Sequence, residues 1–400
     1  MTGVVVIGAG QAGASLVAKL RSEGYDGPIT LIGEEPVPPY QRPPLSKKYL
    51  LGEMALERLY LRPESYYAEA GIDLRLGVRV TGIDRAARAV VMGAERLGYE
   101  HLVLTTGSRP RHLPAAIGGD LGGVHVVRTL ADVYAMAPGF RPGARVLIVG
   151  GGYIGLEAAA VAASRGMQVV LVEMAPRILQ RVAAKETSDY FRALHGRHGV
   201  DIREGVGLER LLGDGQVIGA RLSDGTELAV DMVIVGVGIV PDTALAEAAG
   251  LAIDNGIAVD AQGRTSDPAI WAAGDCASFP HNEGRLRLES VPNAIDMADC
   301  VAGNILGRGV DYVPKPWFWS DQYDVKLQIT GLSTGYDRIV TRDGGAAVSF
   351  WYYRGDQLLA VDAMNDPRAY MVGKRLIDAG KSADPAVVAD AGADLKVLLG

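Results

Sequence analysis

VVVIGAGQAGASLVAKL, residues 4–20, contains three structural signals in succession. Residues 4–7 are a short, β-branched, all-apolar run, the composition of a parallel strand covered on both faces. Gly8, Gly10 and Gly13 then form G-x-G-x-x-G, and an Ala/Leu-rich stretch of helical character follows. The first glycine permits a tight turn, the second lets backbone N–H groups approach a pyrophosphate, and the third lets helix and strand pack closely. The helix N-terminus favours the phosphate charge. ITLIGE, residues 29–34, is a second strand closing on Glu34, 26 positions after Gly8. A carboxylate there accepts hydrogen bonds from ribose hydroxyls.

The same series recurs. VLIVGGGYIGLEAAAVA (146–162) carries Gly150, Gly152 and Gly155 at an offset of 142, and VVLVE (169–173) closes on Glu173, 23 positions after Gly150. A third echo pairs HLVLTTGSRP (101–110) with DMVIVGVGIVPD (231–242). Three echoes in one order imply two related doubly wound units and two bound dinucleotides. At Glu173 a carboxylate selects a free 2′-hydroxyl and repels a 2′-phosphate, which argues for NADH over NADPH. Arg177 and Arg181 lie a few positions on, within reach of a phosphate, so this preference is not absolute. Tyr153 and Ile154 in the second glycine loop and Gly238 in the third echo count among the expected cofactor-binding residues.

The rest of the chain bounds the reading. Four hundred residues exceed one ordinary core, and 52 glycines without a collagen period suit nucleotide loops. Hydrophobic residues make up 48%, yet no apolar run reaches the roughly 18 residues of a membrane span. Forty Lys and Arg against 47 Asp and Glu leave a net charge of −7 with no basic run, so nucleic acid is not an expected partner. The amino terminus enters a strand at once, without a basic segment or cleavage-site pattern, so a cytoplasmic setting is expected.

From about residue 315 the texture changes. Aromatics gather in PWFWSDQY (316–323) and SFWYY (349–353), and RGDQ (354–357) reads as a turn between strands. The expected class is therefore α/β, with two doubly wound dinucleotide-binding domains and a C-terminal α+β domain of antiparallel strands. The boundaries are 1–114 with 246–314 for the first domain, 115–245 for the second and 315–400 for the third.

YQRPPLSK (40–47), GGGYIGLE (150–157), TSDPAIWAAGDCA (265–277), ESVPNA (289–294) and PWFWSDQYD (316–324) together carry a family resemblance over nearly the whole chain. The sequence resembles the FAD-dependent NADH:ferredoxin reductases of the putidaredoxin reductase and rhodocoxin reductase type, which serve bacterial haem monooxygenases. The resemblance implies FAD at the first unit and NADH at the second. It assigns Asp275 to the ribityl chain of the flavin and Arg42, Lys47, Val80, Arg128 and Val291 to the flavin shell. It also pairs Lys47 with Glu157 beside the flavin and sets Trp319 against the ring region, these three acting in catalysis.

Local physical readings stand beside these roles. Asp275 ends an apolar run where α/β folds place ligands, and a helical turn is expected after it; Asp also serves as an ordinary helix cap. Glu157, at the start of a helix, is also explained by dipole complementarity. Trp317 and Trp319 are core aromatics by default, and Lys47 taken alone is a solvated lysine.

Residue types that are missing narrow the chemistry. Residues 1–275 contain no cysteine, which excludes the thiol relay of disulfide reductases and the single cysteine of peroxidase-type relatives near Ser46. Cys276 and Cys300 have no zinc-ligand spacing, and His195 and His198, in LHGRHGV (194–200), are expected at the surface. No metal is expected.

The resulting expectation is an NADH-dependent flavoenzyme passing electrons singly to an acidic [2Fe-2S] ferredoxin, as a monomer or weak homodimer, with no membrane contact. Two other readings remain: reductase of a rubredoxin or a dioxygenase ferredoxin, and an NADH-binding redox sensor resembling apoptosis-inducing factor. Ferredoxin docking is expected near Arg338, Arg342, Arg354, Arg368, Lys374 and Arg375, with Arg285 and Arg287 on the same rim.

Overall fold

The computed structural model describes residues 2–399. Packing divides the chain into two units: residues 1–42, 54–109 and 239–316 in one, residues 43–53, 110–238 and 317–400 in the other.

In the first unit the strand Gly3–Ile7 lies between Ile29–Ile32 and the long strand Glu95–Leu104, all parallel. Ile72–Arg75 extends the sheet beyond Ile29–Ile32, and Ile270–Ala272 extends it beyond Glu95–Leu104. The first half of Glu95–Leu104 instead pairs antiparallel with Ala89–Met92, which pairs with Gly82–Asp84. Val4, Val5 and Val6 are at most 2% exposed, as all-apolar strands covered on both faces must be. The helices Gln11–Ser22 and Val291–Ile305 pack on each other and bury Leu16, Val17, Leu20, Met297 and Val301. Each such side chain contributes about 1.5–3 kcal/mol.

The second unit repeats the plan. Strands Asp201–Glu204, Gln168–Glu173, Arg145–Val149, Met232–Val235 and Val124–His125 lie side by side, all parallel. In both units the glycine loop leaves the central strand and opens a twelve-residue helix, Gln11–Ser22 or Tyr153–Ser164. An antiparallel meander, Leu208–Asp214, Gln216–Leu222 and Glu227–Ala229, is inserted before the last strands.

The C-terminal residues form a five-stranded antiparallel sheet, ordered Trp317–Gln322, Val325–Gly331, Gln357–Met364, Val348–Arg354, Arg338–Asp343. The turn expected at 354–357 is present, with Gly355 at φ +56°. The helix Pro367–Asp378 packs on this sheet, its N-terminus capped by Asp366, which accepts from Ala369 N at 2.9 Å. Trp351, Tyr353 and Val361 fill the core beneath it.

Two local expectations are corrected. Asp275 is not followed by a helical turn: the chain turns at 275–276 and runs into the strand Ala277–His281, while the nearby helix starts at Val291. Glu157 is the fifth residue of its helix, beyond the first turn, so a role in capping the helix dipole lapses.

Candidate functional site

The two glycine loops have one geometry. Gly8 has φ +114° and Gly150 φ +108°, a region closed to other side chains. A Cβ on Gly13 would stand 2.1 Å from the Gly8 carbonyl oxygen, and one on Gly155 2.1 Å from that of Gly150. These close approaches force glycine where helix meets strand. At Gly10 and Gly152 a Cβ would meet nothing within 4 Å. The middle glycine therefore answers to no protein neighbour; the open space at the helix N-terminus fits a pyrophosphate brought close to the backbone. Thr105 fixes the first loop, its hydroxyl donating to the carbonyls of Ile7 at 3.1 Å and Gly8 at 2.8 Å.

The two ribose acids are not equivalent. Glu173 ends its strand, and its carboxylate accepts from Gly151 N at 2.7 Å and Ala175 N at 2.8 Å, joining strand end to glycine loop. Register sets Ile7 opposite Ile32 and Val149 opposite Val172, so the position equivalent to Glu173 is Gly33. Glu34 stands one residue further out, exposed, 3.4 Å from Arg79. Its neighbour Glu35 holds Arg42 at 2.6 Å and accepts from Tyr40 Oη at 2.5 Å, which fixes the Arg42 guanidinium. Asp275 accepts from Ser108 Oγ at 2.9 Å, and the Arg287 guanidinium donates to its backbone carbonyl at 3.2 Å. Val80 is buried in the core of the same unit, while Val291 is half-buried at the first turn of its helix.

In the second unit Lys47 Nζ lies 2.9 Å from Glu157 Oε1. The proline-rich segment delivers the lysine through a short helical turn, Pro43–Ser46, and the helix Tyr153–Ser164 delivers the glutamate. Ser46 Oγ donates to Glu157 Oε2 and Ser320 Oγ to Oε1, each at 2.7 Å. Glu157 is 5% exposed; burial pushes its carboxyl above the ordinary range, against the pull of Lys47 and both hydroxyls. Trp319 is half-buried, its ring 5.5 Å from Trp317 and 6.0 Å from Lys47 Nζ. Tyr153 packs on Phe318 at 4.9 Å, and its buried hydroxyl has no hydrogen-bond partner among the described residues. Ile154 is 39% exposed, Arg128 is half-buried, and Gly238 has φ +99°. Arg177 is spent on Ala184 O and Ser188 Oγ, whereas Arg181 is exposed with no hydrogen bond or ion pair among the described residues.

His195 is not at the surface. It is fully buried, with Nε2 2.8 Å from Gln322 Oε1 and Nδ1 3.1 Å from Tyr323 Oη. The polar flanks of LHGRHGV hid it, because only the inward face of the helix Lys185–Arg197 meets the C-terminal sheet. His198 is exposed and stacks on Tyr323 at 3.7 Å. Ser46, Ser320, Ser108 and Glu35 likewise carried no sequence signal of their own.

Most of the cations expected to dock a partner have internal duties. Arg342 donates to the carbonyls of Val388, Asp390, Ala391 and Ala393, tying down the C-terminal segment. Arg285 binds the carbonyls of Val259 and Ser278, and Arg287 pairs with Glu289 at 2.6 Å. Arg338, Arg354, Arg368 and Lys374 have partners in Asp356, Gln357, Asp394 and Asp378. Arg375 is exposed and unpaired among the described residues. No group of three or more His, Cys, Asp or Glu among these residues could hold a metal, and no helix is long and apolar enough to cross a membrane.

Paired glycine loops of this kind, each between a parallel strand and a helix, are those of dinucleotide-binding oxidoreductase folds. The chain belongs to the pyridine nucleotide-disulphide oxidoreductase family, whose model matches residues 2–298, and a reductase C-terminal model matches residues 317–399. It is 41% identical to rhodocoxin reductase of Rhodococcus erythropolis over 99% of this chain and 94% of that one. Putidaredoxin reductase of Pseudomonas putida is also 41% identical, over 99% of this chain and 96% of the relative. The crystal structure of the covalent putidaredoxin reductase–putidaredoxin complex matches with a TM-score of 0.96 and 40% identity, covering 100% of this chain and 98% of that chain. This membership makes FAD and a pyridine nucleotide the cofactors.

Proposed function

We propose that the protein takes a hydride from NADH onto FAD and passes the electrons one at a time to an acidic [2Fe-2S] ferredoxin that supplies a haem monooxygenase. The observation that carries this reading is the buried Lys47–Glu157 pair, held by Ser46 and Ser320, in a chain with two nucleotide loops and no cysteine before Cys276. FAD, when bound, supplies the conversion between two-electron and one-electron chemistry.

In this reading Gly8, Gly10, Gly13 and Glu34 hold the adenosine diphosphate of FAD, and Asp275, fixed by Ser108, meets the ribityl chain. Arg42, Val80, Arg128 and Val291 complete the flavin shell. Lys47 keeps a positive charge beside the flavin N5 region, where it favours the electron-rich form; Glu157 orients the ammonium, and Trp319 covers the ring. Gly150, Gly152, Gly155, Tyr153, Ile154, Arg181 and Gly238 hold NADH, with Glu173 on the ribose. The engagement of Glu173 with the loop N–H groups supports NADH over NADPH, since a 2′-phosphate would meet a carboxylate fixed in place. The three domains read from the sequence, 1–114 with 246–314, 115–245 and 315–400, act as FAD, NAD and interface domains, and the protein works as a monomer or weak homodimer in the cytoplasm.

The test uses excess NADH with ferricyanide. Prompt turnover, which the [2Fe-2S] protein competes for, supports the reductase. A long-lived NADH-reduced state with negligible turnover would replace it with the sensor reading.

A further inference from the structure

A row of hydrogen bonds runs from Glu157 to the turn after the first strand of the C-terminal sheet, and the donors leave only one consistent polarity. Ser320 Oγ lies 2.7 Å from Glu157 Oε1 and spends its single proton there. It can then only accept from Gln322 Nε2, at 3.1 Å. That orients the Gln322 amide, whose Oε1 faces His195 Nε2 at 2.8 Å and must receive a proton from it. His195 is thus the Nε2–H tautomer, and its Nδ1 accepts from Tyr323 Oη at 3.1 Å. Burial pushes the imidazolium down to about 4, which keeps the ring neutral and able to accept. Tyr323 is held at φ +55°, an uncommon conformation for a bulky residue, with its ring stacked on His198. Gln322, Ser320 and His195 have no measurable exposure.

We propose that His195 is a positioning residue for Glu157: its Nε2–H locks the Gln322 amide so that Ser320 gives its proton to Glu157, leaving the carboxylate fixed for Lys47. This rests on the reading that places the flavin beside Lys47. Without the imidazole donor, Gln322 Oε1 loses its partner in a dry site, and the amide turns to take the Ser320 proton for itself. Glu157 then has one hydrogen bond fewer, holds a proton more readily, and offsets the charge of Lys47 less. The flavin beside it becomes easier to reduce.

The polarity makes an unusual demand, in that the distant residue matters more than the near one. Replacing Gln322 leaves Ser320 with nowhere to send its proton but Glu157, so His195→Met should perturb the flavin and Gln322→Met should not. The measurement is the reduced-to-oxidised ratio of bound FAD in the holoenzyme, at equilibrium with a reference dye. His195→Met should raise that ratio at least about threefold, a part of the roughly tenfold that one lost charge-assisted hydrogen bond is worth at its low end. His195→Gln, which restores a donor at the same place, should return it to the wild-type value, and His195→Phe serves if the methionine variant does not fold. Lys47→Met, run alongside, should lower the ratio. A wild-type ratio in the folded His195 variants while Lys47→Met shifts it would overturn the positioning role. No shift in any variant would remove the flavin from Lys47 and take the inference with it.

Discussion

Lys47→Met should destabilise the protein in a way that depends on pH. The Lys47 side chain is 13% exposed, and its ammonium lies 2.9 Å from the carboxylate of Glu157, whose side chain is 6% exposed, so its loss strands a buried charge. Removing one partner of such a pair costs about 3–5 kcal/mol while the other stays ionised. Glu157 can escape by taking a proton. Its folded pKa is already above the ordinary carboxyl value because burial outweighs its partners, and without Lys47 it rises further. For an acid with a raised folded pKa, stability is greatest at low pH and falls as pH rises. Below the wild-type folded pKa both proteins carry a neutral Glu157, and the variant loses little. Above it the gap opens by about 1.4 kcal/mol per pH unit toward a plateau of about 3–5 kcal/mol. At about 2–4 °C per kcal/mol, the difference in melting midpoint between variant and wild type should grow by roughly 6–20 °C between acidic and mildly alkaline buffer. Differential scanning fluorimetry of the FAD-saturated proteins measures it. A midpoint difference that stays constant with pH would mean that Glu157 is not stranded and that the pair is not the buried device described.

Three further outcomes are expected. Glu173→Arg should lower the NADH over NADPH preference in kcat/KM by at least tenfold, about 1.4 kcal/mol, and should also weaken NADH itself because two loop N–H groups lose their acceptor; an unmoved ratio would turn Glu173 away from the ribose. Gly13→Ala, with a methyl driven against the Gly8 carbonyl, should yield little folded flavoprotein, whereas Gly10→Ala should fold and release FAD at least about tenfold more readily, by equilibrium dialysis. Raising salt should slow ferredoxin reduction severalfold with little change in ferricyanide reduction, and Arg375→Glu should reproduce that selective loss; equal effects on both acceptors would remove Arg375 from the docking surface.

The parts legible in the sequence are those whose cause is local. A glycine that must avoid a carbonyl 2.1 Å away leaves its mark at fixed spacing, and an all-apolar β-branched run declares a strand covered on both faces. The Lys47–Glu157 contact spans 110 positions, and no periodicity points to it; the resemblance alone suggested it. Ser320 and His195 are invisible for the same reason, since a serine in an aromatic strand and a histidine in a glycine-flanked polar stretch read as surface until the sheet is folded onto the helix. Glu34 shows the opposite failure. The repeat aligned it with Glu173, but strand register sets it one residue further out, because a one-residue slip in a loop leaves no trace in composition.

The most direct test of the electron path is a count. Under anaerobic conditions, one equivalent of NADH is added to the holoenzyme with an excess of oxidised [2Fe-2S] ferredoxin, and reduced ferredoxin is measured by its electron paramagnetic resonance signal. A reductase that divides a hydride into single electrons gives two reduced ferredoxins per NADH, at a rate set by the protein and absent without it. NADH that reduces the flavin while every [2Fe-2S] ferredoxin tried stays oxidised would contradict the account.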